Sequence, residues 1–172
     1  MALKSDRGIS FIEIMLSALI LGILLISFTL VFSVGRREID KTGERRIALL
    51  LAQQMMEEIK FQDYQDQYPP DNEPEPRSNF DDVDDYHNWS KSPPQYMDGV
   101  SMDGTGDTPN YTDYQRSIII QYIDDDNYTI IYPLSPLPDP LPDSKLIIVK
   151  VSSTANPKHF DDVELKTAVT KR

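Results

Sequence analysis

Ile14-Met15-Leu16-Ser17-Ala18-Leu19-Ile20-Leu21-Gly22-Ile23-Leu24-Leu25-Ile26-Ser27-Phe28-Thr29-Leu30-Val31-Phe32-Ser33-Val34 is a run of 21 positions without a charge. At the helical rise it spans roughly 31 Å, the thickness of a bilayer's hydrocarbon core. A buried helix of a soluble protein is the alternative reading. This run is apolar on every face, however, and the rest of a 172-residue chain is too small to wrap it. A removable secretory signal also fits poorly: the run exceeds the usual hydrophobic region, and no Ala-x-Ala-like site follows. Gly35-Arg36-Arg37-Glu38 follows instead. The segment is read as a retained transmembrane helix.

Beyond it the helical pattern changes character. Ala48, Leu51, Ala52, Met55 and Ile59 fall on one face at helical spacing, while Arg45, Arg46, Glu57, Glu58 and Lys60 lie mostly elsewhere. No proline occurs before Pro69. One helix is therefore expected from about Ile9 to about Phe61, roughly 80 Å long. Its first half would lie in lipid, and one stripe of its second half would pack on a folded domain. Gly22, Gly35 and Gly43 are soft points, each costing about 1 kcal/mol relative to alanine.

The remainder divides into two stretches. Residues 62–115 are rich in Asp, Asn, Pro and Tyr. Their prolines predict a long loop region with one short helix or hairpin, disordered over Gln62–Asn79 in one reading. Tyr86, Trp89 and Tyr96 mark a later part that packs onto something. Residues 116–172 read as an antiparallel sheet of about four strands: Arg116–Ile123, a turn at Asp124–Asn127, Tyr128–Tyr132 as hairpin partner, then Lys145–Ser152 and Val163–Thr170. Pro133–Pro142 is an extended crossing. A helix followed by a sheet gives an α+β fold.

Net charge is -11, and residues 61–115 hold thirteen acids against Arg77 and Lys91. That balance argues against nucleic acid as a partner, because phosphate binding needs a basic patch. The chain has no cysteine, which removes disulfides, thiolate metal sites and cysteine catalysis.

The most informative residues are Arg7-Gly8-Ile9-Ser10-Phe11-Ile12-Glu13, directly before the apolar run. This stretch resembles the cleavage and methylation signature of the type IV pilin superfamily. That signature is a short basic leader ending in glycine, a hydrophobic first residue, and a glutamate five positions after the glycine. The resemblance implies a leader over 1–8, a transmembrane helix over 9–35 and its amphipathic second half over 36–61. It further implies cleavage between Gly8 and Ile9 by a prepilin peptidase, methylation of the new amine on Ile9, and a filament-assembly role for Glu13. The family usually has phenylalanine where this chain has Ile9. An unpaired carboxylate deep in lipid costs about 2.5–3.5 kcal/mol. In the family the glutamate is thought to pair with a neighbouring subunit's terminal amine, which neutralises both charges.

Two further stretches narrow the resemblance. Leu49-Leu50-Leu51-Ala52-Gln53-Gln54-Met55-Met56-Glu57-Glu58-Ile59 is similar to the second half of the pilin helix in PilV-type minor pilins and in a minor pseudopilin of type II secretion. Phe80-Asp81-Asp82-Val83-Asp84-Asp85-Tyr86-His87-Asn88-Trp89 resembles a motif of minor pilins in mannose-sensitive haemagglutinin-type pili. The implied function is that of a structural subunit, not an enzyme. It would prime or cap a bacterial type IV pilus, with a minor pseudopilin as the alternative. The implied partners are other pilin or pseudopilin subunits, the prepilin peptidase and the inner-membrane assembly platform. The implied location is the inner membrane, single-pass, with the C-terminal domain periplasmic, and then the filament. A signal-anchored periplasmic enzyme or binding protein is the rival from another class. It requires a pocket with convergent polar groups in residues 61–172.

The usual count of basic residues across the span does not give this orientation. Lys4 and Arg7 precede the run, whereas Arg36, Arg37 and Lys41 follow it. Asp81, Asp82, Asp84 and Asp85 are calcium candidates by their clustered oxygens, but the spacing is not that of an EF-hand loop. They read rather as turn and helix-capping aspartates, and no cofactor is assigned. His87 and His159 make no recognisable metal or catalytic pair. The triplets beginning at Asn88, Asn110 and Asn127 match glycosylation sequons, which often arise by chance.

Overall fold

A computed structural model describes residues 10–64, 76–124, 126, 129–130 and 142–171. The leader, Ile9 and most of the proline-rich crossing lie outside these residues. The chain divides into two units, up to Lys41 and from Thr42. Helix α1, Phe11–Lys60, contributes to both.

In the first unit α1 is a bare apolar helix. Ser10 C=O accepts the N–H of Glu13 at 2.9 Å and of Ile14 at 3.2 Å, which starts the helix. Every large hydrophobic residue from Phe11 to Val34 is exposed. The run is long and apolar enough to cross a membrane. Two of its hydroxyls are satisfied within the helix: Ser27 donates to Ile23 C=O at 2.9 Å and Thr29 to Leu25 C=O at 2.8 Å. In lipid, where no water is available, this matters.

The second unit is the α+β domain. Ala48, Leu51, Ala52, Met55, Met56 and Ile59 form the buried stripe of α1. They pack with the inward residues of a four-stranded antiparallel sheet in the order β1-β2-β3-β4. The strands are β1 Ser90–Lys91, β2 Tyr114–Ile123, β3 Ser144–Ser153 and β4 Val163–Thr170. Alternation selects the inward set: Tyr114, Ile118 and Ile120 from β2, and Ile147, Val149 and Val151 from β3. β2 and β3 pair along their whole length, from Tyr114↔Ser153 to Ile123↔Ser144.

β2 takes β3 as its long partner. The hairpin partner expected for β2 is Tyr128–Tyr132. Of those residues Thr129 and Ile130 are described, and they give a bridge from Ile123 to Ile130 and a bond from Asp124 N–H to Thr129 C=O at 2.9 Å. The fourth strand is β1, two residues pairing with Ser117 and Arg116. The expected turn is present at Asp124, whose carboxylate accepts the Asp126 N–H at 2.8 Å.

Two 3-10 turns, Arg77–Asn79 and Asp84–Tyr86, occupy the acidic loop region. Asp63 tethers this region to the end of α1: its N–H donates to Asp81 C=O at 3.2 Å, and its C=O accepts the Val83 N–H at 3.0 Å.

Candidate functional site

Glu13 lies exposed on the first turn of α1, among equally exposed apolar neighbours. Among the described residues of its own unit, no group covers this face. Gly8 and Ile9, the expected processing residues, lie outside the described residues.

Two of the four aspartates, Asp82 and Asp85, turn their carboxylates in on the backbone. Asp82 Oδ1 accepts the N–H groups of Asp84 at 2.6 Å and Asp85 at 3.1 Å, which fastens the 3-10 turn. Asp85 Oδ2 accepts the N–H groups of Asp81 at 3.0 Å and Asp82 at 3.3 Å. Asp84 Oδ2 accepts from Lys145 Nζ at 2.8 Å. Burial raises the Asp84 carboxyl above its usual range, with Lys145 opposing. Among the described residues no group of three or more potential ligand side chains is gathered for a metal.

Lys145 is itself fully buried, on the inward face of β3. Its ammonium also donates to Tyr64 C=O at 2.5 Å and sits 4.1 Å from the Tyr64 ring centroid. Tyr64 in turn donates its hydroxyl to Pro142 C=O at 2.9 Å.

A second buried cluster surrounds Glu58. Its carboxylate accepts from Arg77 and, at 2.9 Å, from the Tyr86 hydroxyl. Arg77 lies 4.9 Å from the ring centroids of both Tyr86 and Trp89 and 5.3 Å from that of Phe80. Arg116, at zero exposure on β2, lies 5.6 Å from the same Trp89 ring. Its guanidinium donates to the carbonyls of Leu51 and Gln95. Burial, followed by repulsion from Arg77, lowers Arg116 to about 10. Two cations thus share one indole and one nearby carboxylate. These contacts fasten α1, the loop region and the sheet to each other.

His87 completes the edge of β2. The ladder passes from β1 to Trp89, whose C=O accepts the Ile118 N–H at 2.9 Å. His87 Nδ1 then accepts the Ile120 N–H at 3.1 Å. The neutral ring therefore carries its proton on Nε2. Burial holds the His87 pKa below its usual value, while Asp84 opposes. Between about 6.5 and the lower folded value, the unfolded chain takes up a proton that the folded chain does not. Stability should therefore fall as pH falls through that window. The Ile120 amide should lose hydrogen-exchange protection in the same window. An Ile120 protection factor independent of pH there would rule out the imidazole as the acceptor.

Sequence reasoning missed Glu58, Arg77, Arg116, Lys145 and His87 as cluster members. The cleft between Glu44, Tyr111, Asp113 and His159 is open and has a volume of about 210 Å³. That is below the range of roughly 300–1,000 Å³ usual for small-molecule sites. No protein-family model, curated protein or solved structure matches the chain.

Proposed function

We propose that the chain is a minor type IV pilin, a structural subunit that primes or caps a bacterial type IV pilus. What carries the reading is one conjunction. The prepilin-like stretch with Gly8, Ile9 and Glu13 leads into a helix whose large hydrophobics from Phe11 to Val34 are exposed among the described residues. Such a surface demands an apolar environment: lipid before assembly and neighbouring helices after it. The domain built on the second half of α1 would face the periplasm and then the outside of the filament. The neighbouring reading is a minor pseudopilin of type II secretion, since the likeness of Leu49–Ile59 extends to both groups. The rival of another class, a signal-anchored enzyme or binding protein, predicts an uncut chain.

Co-expression with a prepilin peptidase, followed by intact mass measurement, tests the proposal. The expected product lacks residues 1–8 and begins at a methylated Ile9. A chain still beginning at Met1 after exposure to active peptidase would overturn it.

A further inference from the structure

In the orientation proposed above, the basic residues after the apolar run stand on the side where a cytoplasm-facing charge bias would not place them. Arg36 follows Val34 by two positions, roughly 3 Å along the helix. Arg36, Arg37 and Lys41 are all exposed. Lys41 is engaged with Glu38 at 3.3 Å, and Asp40 lies a helical turn beyond Arg36. The two arginines are thus the cations nearest the end of the apolar run.

We propose that Arg36 and Arg37 form a collar that binds the phosphate of anionic phospholipid headgroups. The proposal rests on the reading that the apolar run lies in a bilayer. If Val34 ends the hydrocarbon span, both guanidinium groups lie at headgroup depth, with their stems along the acyl boundary. A guanidinium meets phosphate with paired N–H donors, which an ammonium does not. A chain of net charge -11 is repelled by an anionic membrane surface, and a local pair of cations offsets that repulsion. In the proposed orientation, this accounts for the basic residues on the translocated side.

The test uses the full chain in vesicles of phosphatidylcholine with about one third phosphatidylglycerol. Spin-labelled phosphatidylglycerol and phosphatidylcholine report which lipid the protein immobilises. The native chain should favour the anionic probe, by roughly fivefold per arginine at low salt, and the preference should fade as salt rises. Arg36→Gln with Arg37→Gln should bring the ratio to one while the chain still resists alkaline carbonate extraction. Arg36→Lys with Arg37→Lys should keep the salt-dependent part of the preference and lose the part owed to paired donors. Equal immobilisation of both probes by the native chain, or an unchanged ratio in the glutamine variant, would overturn the collar. Carbonate extraction of the native chain would instead overturn the membrane reading and the collar with it.

Discussion

Glu58→Ala should destabilise the domain by about 3–5 kcal/mol, the usual cost of leaving a buried ion unpaired. Its carboxylate holds Arg77 and the Tyr86 hydroxyl, and the Arg77 side chain is only 4% exposed. With the carboxylate gone, Arg77 and Arg116 are both buried beside Trp89, and Arg77 has lost its ion-pair partner among the described residues. Denaturant unfolding of the full chain in detergent measures the effect. Trp89, the sole tryptophan, reports it from inside the cluster. Glu58→Gln keeps the acceptor and should lose less. Glu58→Leu with Arg77→Met removes both charges and should recover part of the loss, because it leaves one cation fewer to solvate. A Glu58→Ala loss below about 1 kcal/mol would mean that water already solvates the pair, as it does at an exposed salt bridge.

The second large effect concerns Glu13 and follows from the proposed function. Glu13→Ala should leave membrane insertion intact, since it makes the start of α1 more apolar. Incorporation into the filament should fall by about tenfold or more, if pairing with a neighbour's amine contributes 1.4 kcal/mol or more. Pull-down of assembled filaments with a tagged subunit, set against membrane content, separates the two steps. Normal incorporation would remove the pairing role and leave the transmembrane reading untouched.

The elements legible in the sequence were those with a strong period. The apolar run and the Ala48–Ile59 stripe both belong to α1. β2, β3 and β4 fall within two residues of the expected strands, because β-branched alternation bounded by turn residues leaves few other conformations. β1 was illegible for the opposite reason: two exposed residues, Ser90 and Lys91, carry no pattern, and they directly follow Trp89, which packs against the core. The interior charges were illegible because Arg, Lys and Glu default to solvent. One clue was available for Arg116 and Lys145. Each sits in phase with its strand's inward residues, Arg116 with Ile118 and Ile120 and Lys145 with Ile147 and Val149. Nothing local announces that Glu58 and Arg77 meet, or that His87 reaches the β2 edge, since loop closure decides both.

The core has a consequence for synthesis. Its first contribution, Ala48–Ile59, leaves the ribosome well before the strands that cover it, and Val163 comes more than a hundred residues later. Until β2 and β3 follow, the growing polypeptide carries a naked oily stripe, and its cover stays incomplete until β4 arrives. A chain interrupted before β4 would therefore be no smaller version of the domain but a sticky intermediate for chaperones and proteases.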